Sequence, residues 1–319
     1  MAIATYNHFA NGVTIRGVPI AQAYPGRVFW VSNSTVLPEG GRPGSDLTSL
    51  RGTMLAPFAT ISYAISRCVA GRGDTIVVGA GHAETITAAA GIAMSKAGVC
   101  LLGLGTGLNR PTITYTTANT ATMTVTAANC SIVNIRFVAN FLSIARAIGV
   151  TATDLTIERC DFSDTDSTHN FLNIVNCTGA ANTANRLAFL DNKVVNQGVT
   201  SNNTTILTAN DIDGLEIKRN YLKWAILNDM AIACIVTAGV LTNVQIVENI
   251  AIRPNTSTTG GSLLNVGGTT STGVMARNFV GTLCTTDVIC TTNVGISFFE
   301  NYVTGVITTS GYIIPARDS

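Results

Sequence analysis

Leu215-Glu216-Ile217, followed three residues later by Asn220, is one copy of a motif that recurs from residue 129 onward. Two apolar residues flank one variable position, and Asn, once Cys, stands three residues beyond the second. The other copies are Ile135-Arg136-Phe137 with Asn140, Leu155-Thr156-Ile157 with Cys160, and Leu187-Ala188-Phe189 with Asn192. They continue as Val244-Gln245-Ile246 with Asn249, a shortened Val274-Met275-Ala276 with Asn278, and Ile296-Ser297-Phe298 with Asn301. The Asn/Cys positions advance by 20, 32, 28, 29, 29 and 23 residues. A repeat of this length built on alternating apolar positions is the signature of a solenoid. Alternation with period two makes each copy a strand with one face inward.

The uneven spacing selects the type of solenoid. Helical repeats keep a tight period because whole helices stack. A parallel β-coil needs register only in its strands, so its loops are free to vary. Cys177 to Asn185 is such a polar excursion, and the coil around Asn278 is trimmed. Asn at equivalent inward positions would form a ladder of amide hydrogen bonds from coil to coil. The expected fold is all-β, a right-handed single-stranded parallel β-helix. The expected ladder is Asn140, Cys160, Asn192, Asn220, Asn249, Asn278 and Asn301.

Composition points the same way. Charged residues make up 12% of the 319-residue chain, about half the usual share, and Thr, Asn, Gly and β-branched residues favour strands and turns. A formal net charge of +1 provides no basic stripe, so nucleic acid is not an expected partner. No apolar run is long enough to span a bilayer, so no membrane partner is expected. The opening MAIATYNHFANG lacks the regions of a signal peptide, which implies synthesis in a cytosol. The eight cysteines, at 68, 100, 130, 160, 177, 234, 284 and 290, include no CxxC pair. They are expected to be reduced thiols, with Cys100, Cys160 and Cys234 packed as small hydrophobes. No metal or other cofactor is expected.

Four regions follow. Residues 1–50 read as an extended arm containing two strand-like pieces, Gly12-Val13-Thr14-Ile15 and Arg27-Val28-Phe29-Trp30-Val31. Residues 51–73 hold a short N-terminal capping helix over 57–69, with Phe58, Ile61, Ile65 and Cys68 on one face and Pro57 at its start. Residues 74–305 form the β-helix, and 306–319 a C-terminal tail. Removal of residues 1–50 is expected to leave a folded rod.

The series PFATISYAISRCVAGRGDTIVVGAGHAETI, followed by GVCLLGLG and PTI, resembles the opening of pectin-lyase-like β-helix proteins. The resemblance covers residues 52 to about 304 and implies the fold; lyases, hydrolases, surface proteins and phage spikes share that fold. Lyases of this superfamily use clustered Asp ligands for calcium and a basic residue as proton acceptor, and hydrolases use paired or tripled carboxylates. The richest acidic cluster here is Asp161-Phe162-Ser163-Asp164-Thr165-Asp166, with Arg159, His169 and Asp191 nearby. It reads as a solvated loop, and its alternative reading is a cation or acid/base site. Asp211 and Asp213 read as turn acids, and Lys218-Arg219 as an outward pair. Gly81-His82-Ala83-Glu84 resembles the glycine-histidine-glycine element of β-helix hydrolases without its second glycine. No catalytic residue is assigned.

Phe137, Phe189 and Phe298 are expected in the inward column. Trp30 and Trp224 remain as candidates for protein contact. A cytosolically made β-helix of this kind looks like a tailed-phage virion component. The leading expectation is therefore a non-enzymatic structural protein, most plainly a capsid decoration (cement) protein. Its partners would be the major capsid protein or other virion proteins. Its arm and the Ile313-Ile314-Pro315 tail would be held by partner chains, and it would form a homo-oligomer, trimeric by analogy with phage β-helices. The alternatives are a tail spike or depolymerase acting on a surface polysaccharide, and a bacterial surface β-helix.

Overall fold

The computed structural model describes residues 26–35, 39–177, 179–198, 204–225, 231–254, 262–266, 270–282, 288–290 and 295–304. It also gives the strand backbones Thr14–Ile15, Val18–Pro19 and Tyr312–Ile313. Gly12, Val13, Cys284 and the tail beyond Ile313 lie outside the described residues. The chain winds into a right-handed, single-chain parallel β-helix, the hand that nearly all parallel crossover connections take. Among the described residues, eight coils contribute one strand to each of three sheets, and the end strands add to the first and second sheets alone. The first sheet runs from Val28–Val31 to Ile296–Phe299 and has ten strands. The second starts at Ala83–Ile86 and also has ten, and the third, from Ile92–Met94 to Val288–Cys290, has eight.

Period two decides what is inside. In the first sheet Ile76, Leu101, Ile132, Ile157, Phe189, Ile217, Ile246 and Met275 stack in register and are fully buried. In the second, Ile113, Phe137, Phe162, Val194 and Leu222 do the same. Phe137 and Phe162 lie stacked with ring centroids 4.8 Å apart. Phe137 and Phe189 are thus both core but belong to different sheets. Phe298 continues the Phe189 column, half-buried at its end.

The helix is Ile61–Arg67, shorter than the 57–69 span expected. Thr60 caps it by accepting from Tyr63 N, and the Asp46 carboxylate accepts from Ala59 N and Thr60 Oγ1. Ile61, Ala64 and Ile65 close the end of the apolar stack together with Phe58 and Cys68. The solenoid itself begins earlier than residue 74. Val28–Val31 pairs parallel with Thr75–Val78 and is the first strand of the first sheet, so residues 26–50 are not a free arm. Its outer edge is covered by residues 52–58: Trp30 N donates to Gly52 O, Phe58 N to Trp30 O, and Ser32 N to Phe58 O. Asp74 locks this junction. It accepts from Arg27 N and Val69 N at 2.8 Å and takes a bidentate pair from Arg72 at 2.7 Å. Burial opposes the charge on Asp74, but the guanidinium and the two N–H donors outweigh it and hold the carboxyl below its ordinary value. At the far end Tyr312–Ile313 turns back antiparallel onto Asn301–Thr304, so this piece of the expected tail belongs to the second sheet.

Candidate functional site

The corner between the first and second sheets is where the sequence motif resolves into chemistry. The chain turns there through one residue in the left-handed conformation: Asn134, Arg159, Asp191, Arg219, Glu248, Arg277 and Glu300, with φ between 48° and 59°. Such residues cost on the order of 1–2 kcal/mol each when not glycine. The turn repeats because each of these backbone N–H groups through Arg277 donates to a carbonyl of the next coil, as Arg219 N does to Val247 O at 3.0 Å.

The residue after the turn points inward. Asn192, Asn220, Asn249, Asn278 and Asn301 are buried and joined in series. Asn220 N and Nδ2 both donate to Asn249 Oδ1, at 3.0 and 2.9 Å, and Asn249 repeats the pattern with Asn278. Each amide also donates to a first-sheet carbonyl of the preceding coil, as Asn249 Nδ2 does to Ile217 O at 2.8 Å. Cys160 begins the column, its N–H donating to Asn192 Oδ1 and its thiol contacting Ile132 O and Glu158 O. Burial pushes that thiol up to about 12, so it packs as an inert group.

Asn140 does not belong to this column. Register places Ile135, not Asn140, level with Cys160, since Arg136 pairs with Asp161. Asn140 is exposed, one strand later in the coil, and accepts from Thr165 Oγ1. The alternation Ile135-Arg136-Phe137 lies just past the corner, running into the second-sheet strand Arg136–Ala139, and mimics the motif.

Trp224 is likewise not a contact residue. It is fully buried in the second sheet, on the same inward face as Leu222, and its indole N–H donates to Thr205 Oγ1. Trp30 is half-buried and lines a cavity of about 190 Å³ with Ser32, Met54 and Leu104.

The early coils of the same corner border a larger groove of about 680 Å³. One wall is the loop Gly103 to Gly107, pinned when Asn134 Nδ2 donates to Gly103 O and Gly105 O. A Cβ at Gly103 would meet Asn134 O at 2.2 Å, so only glycine fits there. Arg110, Arg159, Asp161, Asp191 and Lys193 are its charged lining residues. Asp161 stands in register between Arg136 and Lys193, and the Nε atoms of Arg110 and Arg136 are buried without a hydrogen-bond partner. Both oxygens of Asp191 are held by Arg219, at 2.7 and 2.8 Å.

The expected acidic loop is divided by the fold. Asp161–Asp164 is a strand, not a loop, because its apolar Phe162 belongs to the core. Asp161 faces the groove with Arg159 and Asp191, whereas Asp164 points inward. Asp164 is buried, accepts from Phe171 N at 3.1 Å and Gln197 N at 2.8 Å, and is raised by burial to about 7. Asp166 lies in the turn beyond, where the N–H groups of His169 and Thr168 and the Thr168 hydroxyl hold its carboxyl well below the usual range. His82 is buried; it accepts from Asn33 N and its other nitrogen faces Glu84, which accepts from Ile61 N at the helix start. Asp213 accepts from Thr242 and Asn243 of the next coil, and Lys218 pairs with Glu216.

Among the described residues no three His, Cys, Asp or Glu side chains converge to hold a metal ion. No described helix is long and apolar enough to cross a membrane. Neither a protein-family model nor a curated protein matches the sequence.

Proposed function

We propose that this chain is a non-enzymatic structural protein of a tailed-phage virion, a decoration or cement protein that stabilises the head. The observation that carries the reading is what its carboxylates do. Asp74, Asp154, Asp191 and Glu248 sit in ion pairs with Arg72, Arg186, Arg219 and Arg277. Asp164 and Asp166 close turns through backbone N–H groups. Asp154, Asp164, Asp191 and Glu248 fasten coil to coil, which supports a rod that resists deformation, and the resemblance to pectin-lyase-like proteins supplies the phage context. Its partners are then the major capsid protein or neighbouring virion proteins. Adding the purified protein to capsids that lack it tests this. Co-sedimentation with a raised capsid disruption temperature is the expected result, and failure to bind capsids contradicts it.

A second reading, a spike that binds or cleaves a surface polysaccharide, has the early-coil groove in its favour. Arg110, Arg159, Lys193 and Asp161 present both charge signs on an open face. Cleavage there would need a second free carboxylate beside Asp161, and Asp191 is held by Arg219. Glycan turnover that is lost in the Asp161→Asn variant would favour this reading over the first.

A further inference from the structure

The outward column of the second sheet changes character along the rod. Arg136, Asp161 and Lys193 occupy it in the early coils, and Tyr221, Ile250, Phe279 and Tyr302 follow in register. Ile250 is 47%, Phe279 42% and Tyr302 44% exposed, so large apolar groups line one side of the surface over consecutive coils. Directly beside them runs the left-handed corner, where Arg219, Glu248, Arg277 and Glu300 alternate in sign from coil to coil. The ion pairs of Arg219 with Asp191 and of Arg277 with Glu248 are about half exposed, leaving each group room for a further partner.

A sign pattern of plus, minus, plus, minus becomes its own complement when reversed. We propose that this face docks on the same face of a second copy, with the two rods antiparallel about a two-fold axis between the coils of Glu248 and Arg277. That operation lays charge row on charge row and stripe on stripe. Arg219 then meets the partner's Glu300, and Glu248 meets the partner's Arg277. Ile250 lies across from the partner's Phe279, and Tyr221 from the partner's Tyr302. The match in length is automatic, because both rows share the strand spacing of about 4.8 Å. A parallel pair, with its axis along the rod, carries the two charge rows to opposite sides of the stripe, where neither finds its complement. The contact is isologous. Four coils span only roughly 15 Å, so the interface falls at the weak end, below about 1,200 Å², and the pair dissociates on dilution. This pairing does not depend on a virion role.

The test uses the full chain with Tyr221→Cys and Tyr302→Cys made separately, two positions three coils and roughly 14 Å apart along the rod. Under mild oxidation, a disulfide-linked dimer is expected when the two variants are mixed and not in either alone. Cross-linking within a single variant would mean parallel pairing and overturn the proposal, as would no cross-link in the mixture. Sedimentation of the unmodified protein provides an independent reading. A dimer fraction that rises with concentration and is abolished by Phe279→Asp is expected. A monomer at every concentration contradicts it.

Discussion

At the scale of single residues, the ladder amides hold the corner because each satisfies backbone groups that no strand can reach. Asn249→Ala removes the acceptor of Asn220 N and the donor to Ile217 O. Each buried group left unpaired costs about 1–3 kcal/mol, so urea unfolding should show a loss of that order or more; a change within error would mean that the ladder is incidental. Asp164 gives a second expectation. Its folded value of about 7 exceeds the ordinary 3.8, so between those values the folded chain holds a proton that the unfolded chain has released. Stability therefore falls as pH rises from about 4 to 7. Asp74, Asp154 and Asp213 are held below the ordinary value and act the other way, their contribution being lost as pH falls further. Stability should peak near about pH 4, and Asp164→Asn should flatten the limb above it in a pH series of unfolding midpoints. An unchanged limb in that variant would assign the effect elsewhere.

Much at this scale could be read from sequence, and the errors have physical causes. From Cys160 onward the motif aligns the coils, because an inward polar residue after an apolar pair has few other uses. Once aligned, the residue before each ladder position gives Arg159, Asp191, Arg219, Glu248, Arg277 and Glu300. The residue after gives Asp161, Lys193, Tyr221, Ile250, Phe279 and Tyr302. Both rows are visible in the sequence only when counted from the ladder rather than from the acids. Trp224 shares the parity of Leu222, which already placed it inward. Asn140 slipped because apolar alternation alone does not say on which side of a corner it falls.

At the scale of elements, the N-terminal end shows how a first coil is closed. Its strand Val28–Val31 is separated from the next first-sheet strand by the whole capping segment, so no repeat in the sequence announced it. Its pairing with Thr75–Val78 is long-range and visible only in three dimensions. Removing residues 1–50 takes this strand away and bares the edge of Thr75–Val78, a template for aggregation. That truncation is expected to aggregate or lose several degrees in thermal midpoint, whereas removal of residues 1–25 retains the strand and should leave the midpoint close to that of the full chain. Equal behaviour of the two truncations would return residues 26–50 to the status of an arm. Thr60→Ala, which removes the helix cap, should cost about 1 kcal/mol in the same assay.

At the scale of the whole molecule, each coil buries apolar surface and pairs its backbone with both neighbours, so stability accumulates along the rod. Under the two proposals its long faces would serve partners, an antiparallel copy on the Phe279 stripe and capsid proteins elsewhere. The fold and ladder explain a durable rod. The most direct measurement is the copy number of the chain in purified virions by quantitative mass spectrometry. A number comparable to that of the major capsid protein is the result expected of a decoration protein. A handful of copies would assign the rod to a spike, and absence from particles would contradict the virion role altogether.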